Sequence, residues 1–178
     1  MASTIAHQSP PPPRFERPTR LLIVVAPYYR EIADALIAGA RAAIETAGAT
    51  HETIEVPGAL EIPTAIHLAH AGDDFDGFVA LGCVIRGETT HYDTVCNDSS
   101  RGLMLLGLGG VCVGNGILTV ENADQAMVRA EVSGQNKGGG AAEAAMHLIH
   151  IARRFARPGR GAGKVGFRMA GDPDRDFT

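Results

Sequence analysis

The sequence predicts an α/β fold in three layers, with a four-stranded parallel sheet between two layers of helices. Two observations predict it. Four short apolar runs, rich in branched residues, alternate with stretches of helical periodicity. That order implies right-handed βαβ units whose sheet is covered on both faces. The residues least typical of a core then fall just after the runs, in "APYYR", "VPGALEIP", "GCVIRGETTH" and "GNGILTVEN". Ligands of such sheets bind beyond the carboxyl ends of the strands, where these four segments meet.

The elements follow in order. Residues 1–18, "MASTIAHQSPPPPRFERP", carry four consecutive prolines and favour an extended segment, disordered or lying as a strap on a neighbouring subunit. "RLLIVVA" (20–26) reads as a buried strand. Over 29–47, Ile32, Ala33, Leu36, Ile37, Ala40, Ala43, Ile44 and Ala47 share one helix face, and Gly48 suits the stop. "HETIEV" (51–56) alternates as a second strand, ended by Pro57-Gly58. A short helix is expected over 60–71, where Pro63 is tolerated within a first turn. "DGFVALGCVI" (76–85) is the third strand, 92–108 a helix, and "GVCVGNGIL" (110–118) the fourth strand. Helices follow at 122–132 and 139–155, and 157–178 reads as a flexible tail. The folded domain is therefore expected at 19–156.

Composition narrows the function. Apolar residues make up 45% and aromatics 5%, so the core is built from Ala, Val, Ile and Leu. A net charge of −4 without a basic stripe argues against nucleic acid as a partner. Cys83, Cys96 and Cys112 show no CxxC spacing, so buried free thiols in a reducing compartment are expected. The first 20 residues hold no apolar signal region, and no apolar stretch reaches the ~18 residues of a membrane span. A soluble cytoplasmic protein with no membrane partner is the expectation.

Several residues can do chemistry. Gly87 admits backbone angles that other residues resist, so successive amides of "RGETTH" can face one point. Thr89 and Thr90 add hydroxyls, and a helix starting near Tyr92 adds its N-terminal dipole. Together they suit a phosphate, although a capped strand–helix turn explains the same residues. The spacing matches neither a Walker loop nor a dinucleotide fingerprint. His91 is either a proton shuttle beside that cradle or a histidine in a helix cap. Glu61 either complements a helix dipole or fixes a polyol, while Tyr28 offers a stacking face or is a plain loop tyrosine. Arg129 and Lys137 are either solvated or complete an anion pocket from another subunit. Glu143, His147 and His150 share a helix face and His67 and His70 stand three apart. Such sets without a further ligand are usually surface residues, so no metal site is expected. A GxSxG nucleophile elbow is absent, which leaves hydrolase chemistry unsupported.

The segments "VPGALEIP", "GCVIRGETTHYDTVCNDSSRGL", "GILTVEN" with the following "QA", and "NKGGGAA" carry a resemblance to the lumazine synthase (6,7-dimethyl-8-ribityllumazine synthase) family. It covers about residues 20–156. The resemblance implies a flavodoxin-like fold and pentamers with active sites between adjacent subunits. In some members twelve pentamers form an icosahedral 60-mer. It also implies a reaction: 5-amino-6-(D-ribitylamino)uracil condenses with 3,4-dihydroxy-2-butanone 4-phosphate to give the lumazine, phosphate and water. This is the penultimate step of riboflavin biosynthesis, with riboflavin synthase as the pathway partner. Each step is a proton transfer or an elimination, so the implied cofactors are none.

By the same resemblance, His91 matches the proton-shuttling histidine and Tyr28 the aromatic that stacks on the pyrimidine. Ala59, Leu60, Glu61 and Ile62 match the loop that binds ring and ribityl chain, with Glu61 on the ribityl hydroxyls. Val84 and Ile85 match ring-edge contacts. Gly87, Glu88 and Thr89 match the phosphate loop, with Thr90 adjoining. Arg129 matches a phosphate-binding arginine, and Lys137 a site lysine, both given by the neighbouring subunit. Three positions depart from the family's pattern. Asn115 stands where many members place an aromatic on the neighbour's side of the pocket, Glu88 replaces a smaller residue, and Ser133 falls where some members have lysine. A flavin-binding or shell-building paralogue is the competing class, but it would not need His91, Arg129 and a phosphate loop. A flavodoxin-like electron carrier fails because "APYYR" lacks a Ser/Thr/Gly cluster.

Overall fold

The computed structural model describes residues 10–156 of the 178-residue chain. The tail at 157–178 and the first nine residues of the proline-rich segment lie outside the described residues. Four strands, β1 (Arg20–Val25), β2 (Thr50–Glu55), β3 (Gly77–Ile85) and β4 (Val113–Val120), alternate with helices. The helices are α1 (Arg30–Thr46), α2 (Glu61–His70), α3 (His91–Leu108), α4 (Ala123–Ala130) and α5 (Lys137–Phe155). All strand pairings are parallel, in the order β2-β1-β3-β4. This is the predicted α/β, flavodoxin-like architecture.

Alternation along the strands builds two cores, one on each face of the sheet. Leu21, Ile23, Val25, Val79 and Leu81 pack with α1, α4 and α5. Leu22, Val24, Ala26, Phe78 and Ala80 pack beneath α2 and α3. Because both faces of β1 are covered, its sequence is a continuous apolar run rather than an alternating one. β2 lies at an edge and keeps the alternation, with Thr50, Glu52 and Ile54 exposed.

Most boundaries fall within two residues of expectation, and the departures have local causes. Gly48, at φ +77°, ends α1, its amide bonding to the Glu45 carbonyl at 3.0 Å. The fourth strand begins at Val113 rather than at residue 110 and runs on to Val120. Residues before it are used in turning: Gly110 has φ +94° and the Val111 amide bonds back to Leu106 at 3.0 Å. α4 ends at Ala130, short of 132, because Glu131 leaves the helical region at ψ 137°. α5 starts earlier than 139, at Lys137, since Asn136 caps it by accepting the Gly139 amide at 3.2 Å. The three thiols are half-buried rather than fully buried, though burial raises the pKa of each.

At the amino end of the sheet, the Phe15 amide donates to the Ala47 carbonyl at 3.0 Å. Arg153 of α5 donates to Thr19 Oγ1 and Asp76 Oδ1, both at 2.9 Å. The carboxyl edge of the sheet is thus left to the four loops.

Candidate active site

At that carboxyl edge, β1 and β3 lie side by side while their chains leave toward opposite ends of the sheet. This switch point opens a crevice, and a cavity of about 450 Å³ occupies it. The loop after β1 contributes Tyr28 and Tyr29, the loop after β2 contributes Pro57 to Glu61, and β3 contributes Cys83 to Ile85. Gly87, Thr89, His91, Tyr92 and Val95 close the side toward α3.

Each wall follows from its local structure. Tyr28 is 76% exposed and meets Tyr29 edge to face, which leaves one face of its ring free for a planar ligand. Tyr29 is half-buried, and burial, then Cys83 and Tyr28, push its phenol pKa up. Glu61 is the first residue of α2, where its carboxylate meets the positive end of the helix dipole. Ala59 is buried and Leu60 partly exposed, so the loop offers both backbone and an apolar surface. The bidentate pair of Arg30 and Glu55, at 2.6 and 3.1 Å, ties the start of α1 to the end of β2 beside the cavity.

Every residue of the turn after β3, from Arg86 to His91, is exposed. α3 begins at His91 itself, one residue before Tyr92, and its cap residue Thr90 makes no side-chain cap bond. The His91 amide instead donates to Thr89 Oγ1 at 3.4 Å. That hydroxyl therefore keeps its proton free to donate. Gly87 corrects an expectation: its φ is not positive, and a Cβ there would meet nothing within 4 Å. The glycine is not required by backbone strain; it leaves open space at the turn. Hydroxyl, exposed amides and the α3 N-terminus make this end of the cavity suited to an anion. His91 stands beside it as a group that can move a proton.

Other expected residues lie elsewhere in this chain. Ile62 is wholly buried in the core beneath the cavity, so its side chain does not face a ligand. Glu88 and Thr90 are exposed and outside the lining, which keeps the Glu88 charge off the anion end. Asn115 is exposed on β4, its Oδ1 accepting the Ile117 amide at 2.9 Å. Arg129 on α4 donates to the Gln125 carbonyl at 2.9 Å, and Lys137 is exposed at the start of α5. Neither cation lines this cavity. Among the described residues no three His, Cys, Asp or Glu cluster as metal ligands, and no helix is long and apolar enough to cross a membrane.

Sequence reasoning missed Tyr29, Cys83 and Tyr92 as lining residues. Tyr29 had a signal in its adjacency to Tyr28. Cys83 had none, because facing a cavity from a strand interior depends on how the strand ends.

Residues 18–153 match the protein family described as 6,7-dimethyl-8-ribityllumazine synthase. The chain belongs to that family. A relative of that name from Jannaschia sp. (strain CCS1) is 55% identical over 159 residues, covering 89% of this chain and 88% of its own. One from Novosphingobium aromaticivorans is 53% identical over 137 residues, 77% of this chain and 99% of its own. A third, from Methylorubrum extorquens (strain PA1), is 57% identical over 141 residues, 76% of this chain and 82% of its own. The family match ends within α5, so it spans every element that lines the cavity.

Proposed function

We propose that the chain condenses 5-amino-6-(D-ribitylamino)uracil with 3,4-dihydroxy-2-butanone 4-phosphate to form 6,7-dimethyl-8-ribityllumazine, inorganic phosphate and two waters. The product is named in the relatives' own descriptions. The observation that carries the reading is one cavity with a stacking tyrosine and a carboxylate at one end and an anion turn with His91 at the other. It accounts for a substrate pair of which one is a planar ring with a polyol and the other a phosphate ester.

In this reading Tyr28 stacks on the pyrimidine, Ala59 and Leu60 with Val84 and Ile85 hold its edges, and Glu61 accepts from ribityl hydroxyls. Gly87 and Thr89 bind the phosphate, with Thr90 beside them. The ring amine attacks the ketone, and loss of water gives an imine. His91 takes a proton as the carbon–oxygen bond to phosphate breaks and returns protons in the closing dehydration. General acid–base help of this kind contributes typically ~10²–10⁴ in rate, and holding two reactants together contributes as much or more.

The same reading makes the protein a homo-oligomer with sites between subunits, a pentamer or a 60-mer built from pentamers. Two features support it. Among the described residues no Lys or Arg lines the cavity, and Arg129 and Lys137 lie outside it. Leu68 of α2 and Met104, Leu105 and Leu108 of α3 are large apolar residues left exposed. Asn115 then forms part of a neighbour's wall. A cytoplasmic location and riboflavin synthase as the consumer of the product belong to the same proposal.

The test is formation of the lumazine from the two substrates, followed by absorbance or fluorescence. Product no faster than the spontaneous reaction, with tight ligand binding retained, would leave a binding protein as the better reading.

A further inference from the structure

The phosphate turn is poorly held by its own residues. Every residue from Gly87 to Thr90 is exposed, α3 lacks a side-chain cap, and a Cβ built on Gly87 would meet nothing within 4 Å. Yet binding a phosphate through amides and one hydroxyl requires those groups to stay aimed at one point. Something outside the turn must hold it.

Arg86 occupies that place. Its amide donates to the Val120 carbonyl at 2.9 Å, extending the β3–β4 ladder by one bond. Its Nε meets Glu121 Oε2 at 3.0 Å and its Nη1 meets Asp93 Oδ1 at 3.5 Å. Between these carboxylates the guanidinium lies over the Tyr92 ring, 4.0 Å from its centroid. Tyr92 in turn lines the cavity. The turn is thus bracketed: Arg86 begins it, Tyr92 and Asp93 follow it, and Glu121 anchors both to the end of β4.

We propose that Arg86, through Glu121, Asp93 and Tyr92, is the positioning residue of the phosphate turn rather than a phosphate ligand. This rests on the reading that residues 87–91 bind the phosphate of the second substrate. An arginine beside an anion site would ordinarily be taken for a ligand. Here two carboxylates face its single charge through Nε and Nη1, and the guanidinium is stacked on the Tyr92 ring. The planar fork and the stack are both lost in lysine, so charge alone does not replace it.

The two roles predict opposite signs, and Glu121→Gln separates them. If Arg86 positions the turn, weakening its anchor loosens phosphate binding. If Arg86 binds phosphate directly, removing a competing carboxylate tightens it. Inorganic phosphate binding to the full chain is measured by calorimetry, with steady-state kinetics alongside. We expect Glu121→Gln and Arg86→Lys each to weaken phosphate binding about fivefold, the size of an exposed ion pair with a stacked ring. The KM of the phosphate substrate should rise similarly, while that of the pyrimidine stays within about twofold. Tighter or unchanged phosphate binding in Glu121→Gln, or full rescue by lysine at position 86, overturns the proposal. Should Arg86→Lys lower the melting temperature, the isosteric Glu121→Gln decides. Wild-type protein that binds phosphate but makes no lumazine removes the synthase reading and leaves this inference standing. Wild-type protein that binds no phosphate overturns both.

Discussion

Tyr28 and Tyr29 meet edge to face just beyond β1, their ring centroids 5.1 Å apart and their planes at 72°. The half-buried ring steadies the exposed one. Tyr28→Ala should raise the KM for the pyrimidine about 2- to 13-fold, the equivalent of an aromatic contact worth ~0.5–1.5 kcal/mol. Kinetics at saturating phosphate substrate measure this. An unchanged KM removes Tyr28 from the stacking role.

His91 and Arg129 should fail in different ways. His91→Ala is expected to lower kcat by ~10²-fold or more while leaving measurable turnover, because positioning of the substrates survives. Arg129→Ala should act mainly on the KM of the phosphate substrate. Mixing the two impaired variants adds a check on assembly: if sites are shared between subunits, some mixed sites regain both groups. Activity in the mixture no greater than the sum of the parts would argue for sites within one chain.

Cys83 is a probe already built into the cavity wall. Burial pushes its thiol from 9.0 up to about 11. Near pH 8 it therefore carries ~100-fold less thiolate than an ordinary cysteine, and alkylation should be correspondingly slow. A pyrimidine ligand should slow it further. Cys112, at the opposite edge of the sheet beside Asp76 and Arg153, should not respond to that ligand. Peptide mass mapping of iodoacetamide labelling reads both sites. The sign for stability follows: an unfolded thiol ionises first, so stability is untouched below pH ~9 and declines as pH rises toward the folded value.

Gly138 and Gly140, two residues apart on α5, should respond oppositely to alanine. A Cβ at Gly138 would overlap the Leu36 carbonyl of α1, a backbone atom that cannot rotate aside. Gly138→Ala should cost about 2–3 kcal/mol in denaturant unfolding. Gly140 has nothing within 4 Å of a built Cβ, so Gly140→Ala should be neutral or stabilise by up to ~1 kcal/mol. Equal effects at both positions would mean that α1 and α5 are not packed this closely.

The strands and helices were legible because burial imposes a period on them. β1 reads as an unbroken apolar run, being covered on both faces, and α1 shows its buried stripe from Ile32 to Ile44. Elements failed to match where a single backbone angle decided the boundary. Gly110 and Val111 look like strand residues in "GVCVGNGIL", yet they close the end of α3. Composition carries no trace of that choice.

The candidate site divides along the same line. By itself the sequence determined the order of the strands and helices, the four unusual loops at one edge, and the residue types that suit a phosphate and a planar ring. Each of those is local, written in periodicity or in side-chain chemistry. Only the tertiary structure decided which of them share a cavity. It put Cys83 and Tyr92 in the wall, took the Ile62 side chain into the core, and left Arg129 and Lys137 outside. It also paired Arg86 with Glu121 and Asp93. Those outcomes depend on distances between strand ends that lie far apart in the chain, and sheet packing sets such distances.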